Sequence, residues 1–111
     1  MRMFRKEEGF TLVELMVVVL IIGILVAIAI PVFNAARDNA QQKACFANMR
    51  TIDGSVQQWV AAEVGRSAAD CTVAILVADG YLVDEPVCPA DGSSYTITGG
   101  VVDACATHGN Y

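Results

Sequence analysis

Apolar and polar positions fall into three textures along this 111-residue chain. From Phe10 to Phe33 apolar residues follow one another almost without interruption, and no charge stands between Glu14 and Arg37. As a helix rising 1.5 Å per residue, the 21 residues from Phe10 to Ile30 reach about 30 Å, one bilayer core. Apolar positions lie on every side of such a helix, which excludes an amphipathic surface helix. A mixed texture follows. Ala36, Ala40, Ala44, Ala47, Ile52, Val56, Trp59, Val60 and Val64 recur mostly at three- or four-residue steps, while Arg37, Asp38, Lys43, Arg50, Asp53 and Glu63 fill other faces. One long helix is therefore predicted, roughly 10 to 64, with Gly65 as its stop. Gly54 inside it costs about 1 kcal/mol relative to alanine, too little to end it.

The third texture is short and punctuated. Thr72 to Asp79 is too brief for periodicity to decide between helix and strand; Asp70 as N-cap and Gly80 as terminator favour helix. Beyond Pro86 turns dominate, and the runs Ser94–Thr98 and Val101–Cys105 around Gly99-Gly100 predict a hairpin. The fold class expected is α+β: a long N-terminal helix whose first half spans a membrane, then a small C-terminal head with a short helix and a β-hairpin. The polar remainder is too small for more than one compact domain.

Charge gives the apolar segment a direction. Arg2, Arg5 and Lys6 precede it, which predicts an N-terminus in the cytoplasm and the rest of the chain outside. The formal net charge of −5 does not suggest a nucleic-acid binder, and no nucleic-acid partner is expected of the subunit. Glu14 stands at the mouth of the apolar helix, where a lone acid costs about 2.5–3.5 kcal/mol even on lenient insertion scales. A simple signal anchor carrying a small binding or enzymatic domain explains the helix, but not Glu14 or the cleavable-looking Gly9-Phe10 step.

Those residues carry a family resemblance. Gly9-Phe10-Thr11-Leu12-Val13-Glu14-Leu15, with a short charged leader before it and the apolar helix after it, resembles the type IV prepilin family of type IV pilins, competence pilins and type II secretion pseudopilins. The resemblance implies a leader of residues 1–9, cut by a prepilin peptidase between Gly9 and Phe10, and N-methylation of the new Phe10 amine. It implies a filament core built from residues 10–33, and an extracellular part, 34–111, forming the outer wall. Glu14 would pair with the Phe10 ammonium of a neighbouring subunit. Gly23 and Pro31 bracket a stretch that resembles the one able to lose helicity in filaments; proline removes a backbone donor and clashes with the preceding turn, so a kink or unwinding is expected near 27 to 31. The expected function is that of a structural subunit polymerising into a pilus or pilus-like fibre, with a secretion or DNA-uptake pseudopilin as the alternative. Its partners would be copies of itself, the peptidase and methyltransferase, the inner-membrane assembly machinery and, before assembly, the membrane. It would begin as a single-pass inner-membrane precursor and end in a cell-surface filament.

Four cysteines, Cys45, Cys71, Cys88 and Cys105, all follow the apolar segment, on the side predicted to be oxidising. An even number in a small exported head points to two disulfides, and three connectivities are possible. Cys45–Cys71, tying a loop to the long helix, and Cys88–Cys105, closing the hairpin region, are preferred, each worth about 3 kcal/mol by chain entropy. Zinc ranks second because no Cys-x-x-Cys pair exists and His108 is the single histidine. No catalytic residue, metal or cofactor is expected. His108 and Ser67, Ser93 and Ser94 have no nucleophile context. Asp79, Asp84, Glu85, Asp91 and Asp103 lack the alternating donors of a calcium loop. The scattered aromatics read as core or interface anchors rather than a conduction path.

Overall fold

The computed structural model describes residues 9–111. Arg2, Arg5, Lys6 and the other residues before Gly9, where a leader is expected, lie outside the described residues. The chain divides into two units, Met1–Ala36 and Arg37–Tyr111. Helix α1 spans Leu12–Ala62 and continues through Pro31. A 3-10 turn, Ala68–Asp70, follows, then helix α2, Val73–Ala78, and strands β1, Ile97–Thr98, and β2, Val101–Val102.

In the first unit the α1 side chains have nothing to pack on. Leu12, Leu20, Ile28 and Phe33 are all more than 60% exposed, and every described residue up to Ala36 is exposed. An apolar surface of this extent, uncovered on all sides, marks a segment made for lipid or for other protein.

The second unit is built on one face of α1. Cys45, Met49, Ile52, Val56 and Trp59 follow at steps of four, three, four and three, and all are buried. The predicted apolar face shares Ile52, Val56 and Trp59 with this one, but before them it ran through Ala36, Ala40, Ala44 and Ala47, and these alanines are exposed. Alanine carries too little apolar area to decide which side of a helix turns inward, and the larger Met49 and the cysteines decide it. Val64 lies beyond the helix end and is fully exposed. Gly65, at φ +98°, follows the last turn as the expected stop.

Against that face pack Cys71, Val73 and Leu76 of the α2 region, then Leu82, Cys88, Tyr95, Val102 and Cys105. Helix α2 forms as the helical reading expected, but its N-cap is Thr72, whose hydroxyl accepts from the Ile75 N–H at 3.3 Å. Asp70 belongs to the 3-10 turn before it. The hairpin is present in its expected place, pairing Ile97 with Val102 and Thr98 with Val101.

Gly99 and Gly100 turn that hairpin at φ +63° and +87°, the pair of positive values a two-residue hairpin turn needs. Gly100 is also pressed against the 3-10 turn: a Cβ there would clash with the Ala68 side chain and lie 3.1 Å from the Ala68 carbonyl carbon. Gly99 faces open space. Gly100→Ala is therefore expected to destabilise the unit by about 2–3 kcal/mol and Gly99→Ala by about 1 kcal/mol, read as the difference between two urea melts.

Asp53 of α1 anchors the hairpin and the chain's last residue. Its Oδ1 accepts from the Val102 N–H at 2.8 Å, and its Oδ2 accepts from the Tyr111 hydroxyl. The Arg50 guanidinium lies 5.2 Å over the Tyr111 ring. Asp53→Ala strands the Val102 N–H in a half-buried place, so a loss of about 1–3 kcal/mol is expected in the same melts.

Candidate functional site

Two groups of residues have chemistry beyond packing. The first surrounds the start of α1. Gly9 and Phe10 precede the helix and are exposed, Phe10 by 84%. Thr11 is the N-cap: its carbonyl accepts the Leu15 N–H at 3.2 Å, and its hydroxyl accepts the Glu14 N–H at 3.1 Å. Glu14 reaches back, and its Oε2 accepts the Thr11 N–H at 3.1 Å. This reciprocal pair is a capping box, which satisfies two backbone donors that the helix start would otherwise leave free. The Thr-x-x-Glu spacing that makes it is local and legible in the sequence. Gly23 and Pro31 both lie within unbroken helix, and a Cβ on Gly23 would meet nothing within 4 Å.

The second group is where three of the cysteines meet, and it does not show the expected disulfides. All four cysteines are free and buried. Cys45, Cys88, Cys105 and His108 converge, with their sulfur and ring-nitrogen atoms all within 4.8 Å of one another. Cys71 is elsewhere. Its thiol is pushed up by burial and then by the Asp79 carboxylate, with Arg66 opposing. Asp79 and Arg66 both contact Trp59, four helical turns along α1 from Cys45, about 21 Å away at 1.5 Å per residue. Cys45 and Cys71 are both free and do not stand at disulfide distance. Cys88 and Cys105 are neighbours, as expected, but as two of three thiols around one imidazole.

Local backbone explains the convergence. Cys88 to Ser93 is a closed turn: the Gly92 N–H donates to the Cys88 carbonyl at 2.7 Å and the Cys88 N–H to the Ser93 carbonyl at 2.8 Å. Cys105 to Gly109 is built the same way, the Gly109 N–H donating to the Cys105 carbonyl at 2.7 Å and the Cys105 N–H to the Gly109 carbonyl at 3.0 Å. Gly92 and Gly109, four residues after each cysteine, have φ of +74° and +77°. Asp91 ties the turns together, its Oδ2 accepting from the Thr107 hydroxyl at 2.6 Å. The remaining groups orient the cluster. Tyr95 donates its hydroxyl to Cys45 Sγ at 3.1 Å, and the Phe46 ring meets His108 edge-on with centroids 6.4 Å apart.

The three thiols are not equivalent. Burial pushes Cys45 up to about 11. Burial opposes the Cys105 thiolate too, but N–H groups of His108 and Thr107, with the Cys45 and Cys88 sulfhydryls, outweigh it and bring that thiol down to about 6. Sequence reasoning missed this group. Its signal was Cys105-Ala-Thr-His108-Gly, a Cys-x-x-His pair with a following glycine, passed over in a search for Cys-x-x-Cys.

A model of the prokaryotic N-terminal methylation motif matches residues 4–30, which include Gly9, Phe10, Glu14 and Gly23. The competence protein ComGC of Bacillus subtilis (strain 168) is 35% identical over 97 residues, 87% of this chain and 95% of that relative. The chain belongs to the type IV prepilin family. Fimbrial protein EcpC of Eikenella corrodens is 35% identical to this prepilin over 94 residues, 83% of the chain and 61% of the relative. The type II secretion system core protein G of Vibrio cholerae serotype O1 is 32% identical over 59 residues, 53% and 40% of the two chains. These relatives set the prepilin among pilin-like filament subunits. No solved structure matches it at a significant level.

Proposed function

We propose that this prepilin is a structural subunit that loses residues 1–9, is methylated on Phe10 and polymerises through residues 10–33 into a pilus or pilus-like fibre. The observation that carries the reading is the acid Glu14 at the head of a helix whose apolar side chains are exposed all round. In lipid those side chains are covered by acyl chains, and in a fibre by copies of the same helix. The transfer gains packing, while Glu14 supplies the register. An unpaired carboxylate is costly in an oily bundle, and a neighbour's Phe10 ammonium relieves it only when the two helices are in the right stagger. Repeating one head-to-tail contact that does not close yields a helical filament. The basic leader keeps the N-terminus cytoplasmic before cleavage. No step of this asks the chain to catalyse anything; it is the substrate of a peptidase and a methyltransferase.

N-terminal sequencing and mass spectrometry of the membrane-derived protein test the reading. A mature chain beginning at methylated Phe10, with fibres in sheared surface fractions by electron microscopy, is the expected result. An intact Met1 and no fibre would instead indicate a signal-anchored protein. A competence or secretion pseudopilus is the second reading, favoured by the nearly full-length match to a competence protein. Short fibres that do not shear off, together with loss of DNA uptake on deletion, would select it.

A further inference from the structure

We propose that Cys45, Cys88, Cys105 and His108 form a structural zinc site of three thiolates and one imidazole that pins the C-terminal turns to α1. The two nitrogen–sulfur distances are close to those of a tetrahedron around a metal. With Zn–S near 2.3 Å and Zn–N near 2.05 Å, tetrahedral angles put sulfur and nitrogen about 3.6 Å apart and two sulfurs about 3.8 Å apart. His108 Nδ1 lies 3.5 Å from Cys88 Sγ and 3.8 Å from Cys105 Sγ, and all four donor atoms fall within 4.8 Å of one another. The widest pair, at up to 4.8 Å, must draw in by about 1 Å for one zinc ion to hold all four.

A disulfide uses this geometry less well. It joins two of the three sulfurs and leaves the third thiol and the imidazole facing a bond that neither can enter. Zinc uses every donor present and, being four-coordinate with nothing left for water, makes a closed site of the structural kind. Three soft sulfurs and one imidazole favour zinc over magnesium or calcium, which take oxygen. The hydroxyl of Tyr95 donates to Cys45 Sγ, a hydrogen bond that suits a thiolate. Nδ1 faces the sulfurs, so the imidazole binds through Nδ1 and carries its proton on Nε2. The sulfhydryl protons leave to solvent on binding, and the complex carries one net negative charge. The paired Cys-x-x-x-Gly turns, one ending in Asp91-Gly92 and the other in His108-Gly109, present their cysteines to a shared point, and α1 supplies Cys45 from below them.

The site has a reason to exist in this fold. The unit has two strands of two residues each and a six-residue α2, too little regular structure to hold residues 86–111 in place. Metal binding in such small units is folding free energy.

The test uses the full chain purified in detergent under reducing conditions. Metal analysis is expected to find about one zinc per chain, retained by Cys71→Ser and lost from Cys105→Ser and His108→Ala. Cobalt(II) chloride added to the metal-stripped chain is expected to give intense tetrahedral d–d bands with sulfur-to-cobalt charge transfer, bleached by added zinc. His108→Cys is expected to keep the metal and shift the cobalt spectrum to that of four sulfurs. This variant and the unaltered chain carry the decision should Cys105→Ser or His108→Ala not fold. A metal-free chain that shows no tetrahedral cobalt spectrum overturns the proposal. A disulfide joining any two of Cys45, Cys88 and Cys105 in non-reducing peptide maps of freshly sheared or membrane protein overturns it as well, as does equal loss of zinc from Cys71→Ser. None of these readouts depends on fibre formation, so failure here leaves the filament reading untouched.

Discussion

Glu14→Gln is expected to give correctly processed, membrane-inserted protein that assembles into almost no fibre. The choice of glutamine rests on the capping box. Glutamine at this position can still accept the Thr11 N–H, as the glutamate does at 3.1 Å, so the helix start survives. What disappears is the charge. Glu14→Ala removes the charge and the Glu14 half of the capping box, while Thr11 still caps the helix; that half is worth at most about 0.5–2 kcal/mol, spread over a helix that lipid already stabilises. A buried ammonium left without its partner costs more, about 3–5 kcal/mol for each subunit contact, and a fibre repeats that contact along its whole length. Both variants should therefore fail to assemble and should fail equally. Electron microscopy and sedimentation of the sheared fraction, with immunoblots for the processed chain, read the outcome. Normal fibres from Glu14→Gln but not from Glu14→Ala would assign Glu14 to helix capping and remove the charge from the assembly mechanism.

Trp59→Ala is the substitution expected to damage the second unit most. Trp59 is 7% exposed and closes the core at the far end of the α1 face. Its indole N–H donates to Asp79 Oδ2 at 2.7 Å, and the Arg66 guanidinium stacks over the ring at 4.6 Å. Losing the hydrogen bond matters less than losing the volume. Asp79 is exposed enough to be met by water, and Arg66 stays within 3.9 Å of it, whereas the emptied space has nothing to fill it. A cost of about 3–5 kcal/mol follows, against total stabilities of about 5–15 kcal/mol for whole domains, so a unit this small is brought close to its midpoint. Trp59→Phe keeps most of the ring and forfeits the N–H, at about 1–2 kcal/mol. Urea melts followed by far-UV circular dichroism are the measurement, because the chain has a single tryptophan and either change removes its fluorescence. Low accumulation of Trp59→Ala in cells is the accompanying expectation.

The membrane-length helix, its continuation to about residue 62, α2 and the hairpin were all legible from residue patterns, because each rests on local rules. A charge-free apolar run, a glycine stop and a two-glycine turn act within a few residues of themselves. The inward face of α1 was legible at Ile52, Val56 and Trp59 but misread before them, because it depends on which partners arrive from residues 71–105, and alanines at regular spacing imitate a core stripe. The cysteine cluster failed for the same reason. Cys45 meets Cys88, Cys105 and His108 only after the tail has folded back on the helix, and spacing between cysteines says nothing about that return. Only the Cys-x-x-His pair was local enough to be seen.

The closeness of Gly100 to Ala68 couples two places far apart in the sequence. Neither can grow: position 100 has no atom to give up, so position 68 is held to a methyl group or less. Chains sharing this tail architecture should therefore vary at these two positions together or not at all, and a lineage that lengthens the connection after α1 gains the freedom to enlarge both.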